Sequence, residues 1–283
     1  MLQISYKSIA IFTIGIGVGL WIPLLLNLLS WYIWKWGLMD KVPKGYVIYD
    51  GASLLDGKRI VAIALTDKSK NSKTGAMVQT YIIRPDINPL EANKTGEDYS
   101  ICGTCPHKGI PHNDPNRKTA KERTCYVNLG QGVLIVFKQF KKGAYPYADD
   151  TMIEKLGIDR EVRIGTYGDG ASVPRYIWKK LTKHNNKRTG YSHQAETKGA
   201  DYDPSLYMRS VESLLEAFKA WDKGERTFRV TNVNNVEPPI EGKEIWCPAD
   251  KGVQCKDCGL CAGNSIQAKS IVIKSHGAGA KSA

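Results

Sequence analysis

Four of the chain's seven cysteines fall within fifteen positions, Cys247 to Cys261, in the run CPADKGVQCKDCGLCAG. The other three, Cys102, Cys105 and Cys125, lie far upstream. Disulfides, zinc and iron–sulfur clusters each need a different geometry, so the role of these sulfurs constrains the fold more than any other feature. Disulfides fit poorly. Seven is an odd number, the second group is too compact to staple a large core, and 283 residues bury a core that needs no staple. Structural zinc usually takes two separated C-x2-C pairs, or mixes cysteine with histidine. Here Cys255, Cys258 and Cys261 follow one another at spacings of three, with Cys247 upstream and followed by Pro248. That pattern wraps a cubane with four iron corners, as in ferredoxin loops, and favours [4Fe–4S] over zinc.

The first group reads CGTCPHKGIPHNDPNRKTAKERTCYVN. Its three thiols leave two alternatives open. His107 or His112 completes a Cys3His zinc site, or the trio holds a cubane whose fourth iron stays open to a ligand.

The N-terminus is of another kind. Ser8 to Trp34 is 27 residues without a charge, and a helix needs about 20 apolar residues to cross a bilayer. Trp31, Tyr32, Trp34 and Trp36 gather at the far end, where an aromatic belt sits. The run is too long for a signal peptide and lacks a clear small-x-small cleavage site. The expectation is a single-pass anchor over 1–38, an α/β metal-binding domain over 39–276 and a flexible tail over 277–283. Lys35, Lys41 and Lys44 place that domain in the cytoplasm by the positive-inside rule, and metal-binding thiols suit a reducing compartment. Translation from Met39 would instead make the run a mis-assigned leader and the product cytoplasmic.

The body reads as α/β. YVIYD, RIVAIAL and MVQTYIIR, within 46–84, predict a small β layer, and 86–125 reads as loop. QGVLIVFKQFKKG predicts a helix ending at Gly143; EVRIGTYGD is a strand into a glycine turn, and Pro174 opens another helix. TGYSHQ is a short strand. DPSLYMRSVESLLEAFKAWDKG predicts one long helix from Asp203 to Gly224, with Leu206, Val211, Leu214, Leu215 and Phe218 on its apolar face. RTFRVT, KEIW and SIVIK finish as strands. Such alternation implies βαβ units in a parallel sheet or partial barrel with cysteine-rich metal loops. Ligands of such sheets bind beyond the carboxyl ends of the strands, which puts TYGDG, SHQ and TNVNN on one edge.

Several further residues are candidates. Tyr167, Gly168 and Asp169 could present polar groups to a cofactor, and Asp169 and His193 could act in acid–base catalysis or ligation; the plainer alternatives are a glycine turn and a hydrogen-bonded surface histidine. Lys and Arg exceed Asp and Glu by 40 to 28, a charge of +12 that favours anionic partners such as nucleic acid, nucleotides or acidic lipid. Lys179, Lys180, Lys183 and Arg188 could bind phosphates or form a solvated helix end. There is no Walker loop and no dinucleotide fingerprint.

DGASLLDGKRIVAIAL, CGTCPHK, CYVNLGQGV, VRIGTYGDGASVP, TGYSHQ and CPADKGVQCKDCGLCAG together resemble an uncharacterised protein family carried by bacteriophages and plasmids, over about residues 46–276. The family has no established activity, so the resemblance implies relationship only. The three-plus-four cysteines on an α/β body also resemble radical S-adenosylmethionine enzymes, although the usual C-x3-C-x2-C loop is absent. That likeness implies a catalytic [4Fe–4S] cluster on Cys102, Cys105 and Cys125 that binds S-adenosylmethionine for radical chemistry on an unknown substrate. Cys247, Cys255, Cys258 and Cys261 would hold an auxiliary cluster. The rival expectation is a zinc-stapled basic protein that binds nucleic acid, or a tethered interaction domain without catalysis.

Overall fold

The computed structural model describes residues 42–67 and 71–275. The chain parts into two units, Met1–Val42 and Pro43–Ala283. The apolar run 8–34, Met39, His276 and the tail 277–283 lie outside the described residues. Among the described residues no helix is long and apolar enough to cross a membrane.

Among the described residues ten strands form two five-stranded sheets, and the fold is mixed α/β with parallel strands. In the first sheet the order is β1 (Gly45–Ala52), β2 (Arg59–Leu65), β3 (Val78–Ile83), β4 (Glu161–Tyr167), β5 (Lys187–Thr189). β1, β2 and β3 pair antiparallel, whereas β3, β4 and β5 pair parallel. The β layer expected at the start of the domain is therefore one side of a larger mixed sheet. Ile60 to Ala64 of β2 are fully buried, as a strand covered on both faces requires.

The second sheet is parallel throughout, in the order β6 (Tyr191–Ser192), β7 (Met208–Val211), β8 (Thr227–Thr231), β10 (Ser270–Lys274), β9 (Glu244–Trp246). β5 and β6 flank Gly190, so one extended segment serves both sheets. The Gly190 amide donates to the Cys261 carbonyl (3.1 Å) and its carbonyl accepts from Met208 (2.9 Å). A Cβ there would lie 2.8 Å from the Leu206 carbonyl oxygen, a backbone approach that only glycine permits.

Seven α-helices are described: α1 (Pro89–Thr95), α2 (Tyr99–Cys102), α3 (Leu134–Lys141), α4 (Asp150–Gly157), α5 (Arg175–Leu181), α6 (Leu214–Asp222) and α7 (Cys255–Cys258). α1 and α2 lie in the stretch expected to be loop, and α4 has no counterpart in the sequence reading. Both sulfur groups ride on crossovers between parallel strands, the first between β3 and β4 and the second between β9 and β10.

The long helix expected over 203–224 is a correction. That segment is β7 followed by the nine-residue α6. Met208 and Val211 are buried in the sheet, while Leu215 and Phe218, assigned to the apolar face, are exposed. Ser213 restarts the chain as a helix. Its hydroxyl accepts from Glu216 N (3.2 Å), and Glu216 Oε2 accepts from Glu212 N (2.7 Å), the residue before the cap.

Candidate metal centres

Cys247 follows β9 directly, and its amide donates to the Val272 carbonyl of β10 (2.8 Å). Cys255 and Cys258 bound the single turn α7, which docks on the β2–β3 connection: Cys255 N donates to Lys73 O (2.9 Å) and Lys256 N to Thr74 O (3.1 Å). Gly259 then takes φ +68, the left-handed turn that ends α7 and sends Cys261 back under the sheet. All four cysteines line one pocket, whose wall includes Tyr191, Leu260 and Ile271. None of them forms a disulfide.

Burial pushes the Cys261 thiol up to about 12, against a hydrogen bond from Tyr191, and it also raises Cys247 and Cys255. Arg163 is one of the cations nearby. It is buried, its guanidinium lies over the Tyr191 ring (5.5 Å), and it donates to the Tyr126 hydroxyl (2.6 Å). Tyr126 is the residue after Cys125, so Arg163 connects the surroundings of the two sulfur groups.

Cys102 ends α2 and Cys105 opens the next turn. Buried Gln194, just past β6, clamps this corner. Its Nε2 donates to Cys102 O (3.0 Å), and its Oε1 accepts from Thr104 N (3.2 Å). Cys125 N donates to His107 O (2.9 Å), which draws the distant cysteine toward the pair. The three thiols share one electrostatic field. Burial holds Cys102 well above its ordinary value, followed in effect by Asp98, Cys105 and Cys125; burial also raises Cys125, against Arg123. Asp98 Oδ1, the Tyr167 hydroxyl and Arg123 Nε close by are buried without hydrogen-bond partners.

His193 and Glu212 stand just past β6 and β7, the carboxyl ends of adjacent parallel strands, where ligands of such sheets bind. His193 Nε2 is 2.8 Å from Glu212 Oε1, and His107 Nε2 is 3.1 Å from Glu212 Oε2. Burial alone would raise the Glu212 carboxyl, but the two imidazoles outweigh it and hold it at about 2. Burial likewise opposes charge on His193, yet Cys105 and Glu212 lift its pKa well above the ordinary value. Among the described residues, His107, His193 and Glu212 are the one set whose metal-ligating atoms all lie within 4.8 Å of one another.

The sequence reading named His193 and His107 but missed Glu212, which was hidden inside the supposed long helix. A strand ending before a Ser-x-x-Glu box was the signal. His112 faces its own loop: Nε2 meets Thr119 O (2.9 Å) and Nδ1 accepts from Asp114 N (3.0 Å), so it does not join the trio. Asp169 is buried with both oxygens engaged, Oδ1 by Ala171 N (3.0 Å) and Oδ2 by His193 N (2.9 Å). Its place is to position His193. Gly168 (φ +82) packs against Ile82, and the TYGDG turn lies against α2, since Asp169 N donates to Ile101 O (2.6 Å). The TNVNN turn follows β8 at the carboxyl edge that β6, β7 and β8 share, and it folds on itself through an Asn232–Asn235 bridge.

The candidate phosphate-binding cations are matched by carboxylates. Lys179 pairs with Asp203 (3.0 Å), Lys180 with Asp150 and Lys183 with Glu154 (2.9 Å). Arg188 is half-buried and donates to Ser205 O (2.8 Å). Comparison with protein-family models, curated proteins and solved structures finds no match.

Proposed function

We propose that this chain is an iron–sulfur protein. Cys247, Cys255, Cys258 and Cys261 hold one [4Fe–4S] cluster, and Cys102, Cys105 and Cys125 hold a second with one iron open. The observation that supports this reading is that four unbridged cysteines line one largely apolar pocket. Tetrahedral zinc, with Zn–S of about 2.3 Å, brings its sulfurs to about 3.8 Å from one another. A cubane is larger and takes its thiolates at its corners.

The surroundings suit such a group. Buried thiols keep their protons until a metal displaces them, and Tyr191 and Arg163 offer a hydrogen bond and a positive charge to an anionic cluster. Around the trio, the unpartnered Asp98 Oδ1 and Tyr167 hydroxyl leave hydrogen-bonding capacity for a polar ligand. The finer reading is a radical S-adenosylmethionine-type enzyme, in which Cys102, Cys105 and Cys125 would hold a cluster that binds S-adenosylmethionine and relays to it one electron from an external reductant. Gln194 holds the trio's turn, Asp169 holds His193 in place, and the buried Tyr167 faces the same field as Cys102.

Electron paramagnetic resonance on the anaerobically isolated, dithionite-reduced chain and its Cys258→Ser and Cys105→Ser variants tests the assignment. Each variant is expected to lose a different one of two cluster signals. A chain that carries zinc and gives no cluster signal in either variant refutes it and leaves the zinc-stapled binding protein.

A further inference from the structure

We infer that His107, His193 and Glu212 form a separate binding site for one divalent transition-metal ion of the zinc or ferrous class, beside the three-cysteine group. The inference does not depend on the iron–sulfur reading. Three independent segments supply the ligands: the turn after Cys105, the end of β6 and the end of β7. His193 Nε2 and His107 Nε2 lie 2.8 Å and 3.1 Å from the two oxygens of one carboxylate. Those spacings suit ligands that share an ion at about 2.0–2.2 Å.

Hydrogen bonding accounts for only half of this cluster. His107 Nε2 is buried and, although close to Glu212 Oε2, is out of alignment for a hydrogen bond and has no other partner. A buried ring nitrogen left in that state wants a proton acceptor or a metal. The His107 imidazole is also fixed by a second bond, as metal-bound histidines usually are: its Nδ1 meets Thr124 Oγ1 at 2.7 Å. The His193 backbone is fixed by Asp169 (2.9 Å), and Glu212 by Glu216 (2.7 Å), so the donors are arranged before any ion arrives.

The donor set selects the ion. Two imidazoles and one carboxylate suit zinc, ferrous iron and their neighbours, whereas magnesium and calcium prefer oxygen. Three protein ligands leave coordination positions free, and the Glu212 side chain is 34% exposed, so water or a substrate oxygen can reach them. The neighbouring Cys105 places that position beside the trio.

The test is anomalous X-ray diffraction at the zinc edge on crystals of the full chain equilibrated with one to two equivalents of Zn2+, paired with titration of the same protein in solution. Glu212→Gln keeps the side-chain shape and sits at the surface, and circular dichroism checks that its fold is unchanged. The expected result is a peak bonded to His107, His193 and Glu212 that disappears in Glu212→Gln, with solution affinity for that equivalent falling at least about tenfold. A peak at this position in protein that carries no cluster supports the site while defeating the iron–sulfur reading. Intact clusters without the peak, zinc held only by cysteines, or unchanged binding in Glu212→Gln overturns it.

Discussion

Replacing Arg229 by Met should be among the most damaging single changes away from the sulfur groups. Arg229 is fully buried in β8 and ties down three points of the excursion that leads through β9 to Cys247. Its Nε and Nη2 donate to Glu244 (3.0 and 2.8 Å), Nη1 to Glu237 (2.8 Å) and Nη2 also to Pro238 O (3.1 Å). The Glu244 side chain has no exposure, and without Arg229 its remaining partner is the Ile240 amide at 3.0 Å. Removing one member of a buried ion pair costs about 3–5 kcal/mol, because the other charge is left buried and uncompensated. For a domain of this size each kcal/mol lowers Tm by about 2–4 °C, so a fall of roughly 6–20 °C is expected. Urea unfolding should show the same loss as a lower midpoint at unchanged slope. Arg229→Met with Glu244→Leu removes both charges and should recover most of the stability. Because β9 leads straight into Cys247, the single variant should also lose the quartet's metal to a chelator faster than the trio's. A loss under about 1 kcal/mol, or a double variant as unstable as the single one, refutes the reasoning.

Asp98→Asn should stabilise the protein in a pH-dependent way. Burial raises the Asp98 carboxyl, so folding favours its protonated form and stability falls as pH climbs from the ordinary 3.8 through the raised value. The variant's gain should be absent in acid and grow as pH rises toward neutrality, read by thermal melts across pH. Gly103→Ala should cost the trio its metal and spare the quartet, because Gly103 has φ +52 and an added Cβ would sit 2.1 Å from Gln194 Oε1; metal analysis of the two sites checks it. Ser213→Ala removes the cap of α6 and should cost about 1 kcal/mol in urea unfolding, with metal content unchanged.

The strands were legible wherever apolar runs were short and bounded by turn residues. RIVAIAL, SIVIK and RTFRVT needed no further context, and nor did the helix ending at Gly143. The error over 203–224 has a physical cause. Leu206, Tyr207, Met208 and Val211 are buried in and beside a covered parallel strand, and a fully buried strand shows no alternation to set it apart from a helix. Pro204 and Asp203 then suggested a helix start that belongs to a turn, with Asp203 Oδ1 accepting from Ser205 N (2.9 Å). The sulfur groups announced themselves through spacing. The His107–His193–Glu212 set could not, because its members are joined by topology alone: two come from neighbouring strand ends and one from a loop. The ion pairs of the basic segment 179–188 were hidden for a similar reason, since the carboxylate partners lie on other elements.

The central claim is that these sulfurs hold iron–sulfur clusters. Chemical analysis of iron, acid-labile sulfide and zinc in the full chain, purified and handled without oxygen, tests it most directly. The account predicts a brown protein with iron and sulfide in near-equal amounts, about two cubanes per chain. A colourless protein with zinc and no labile sulfide would contradict it.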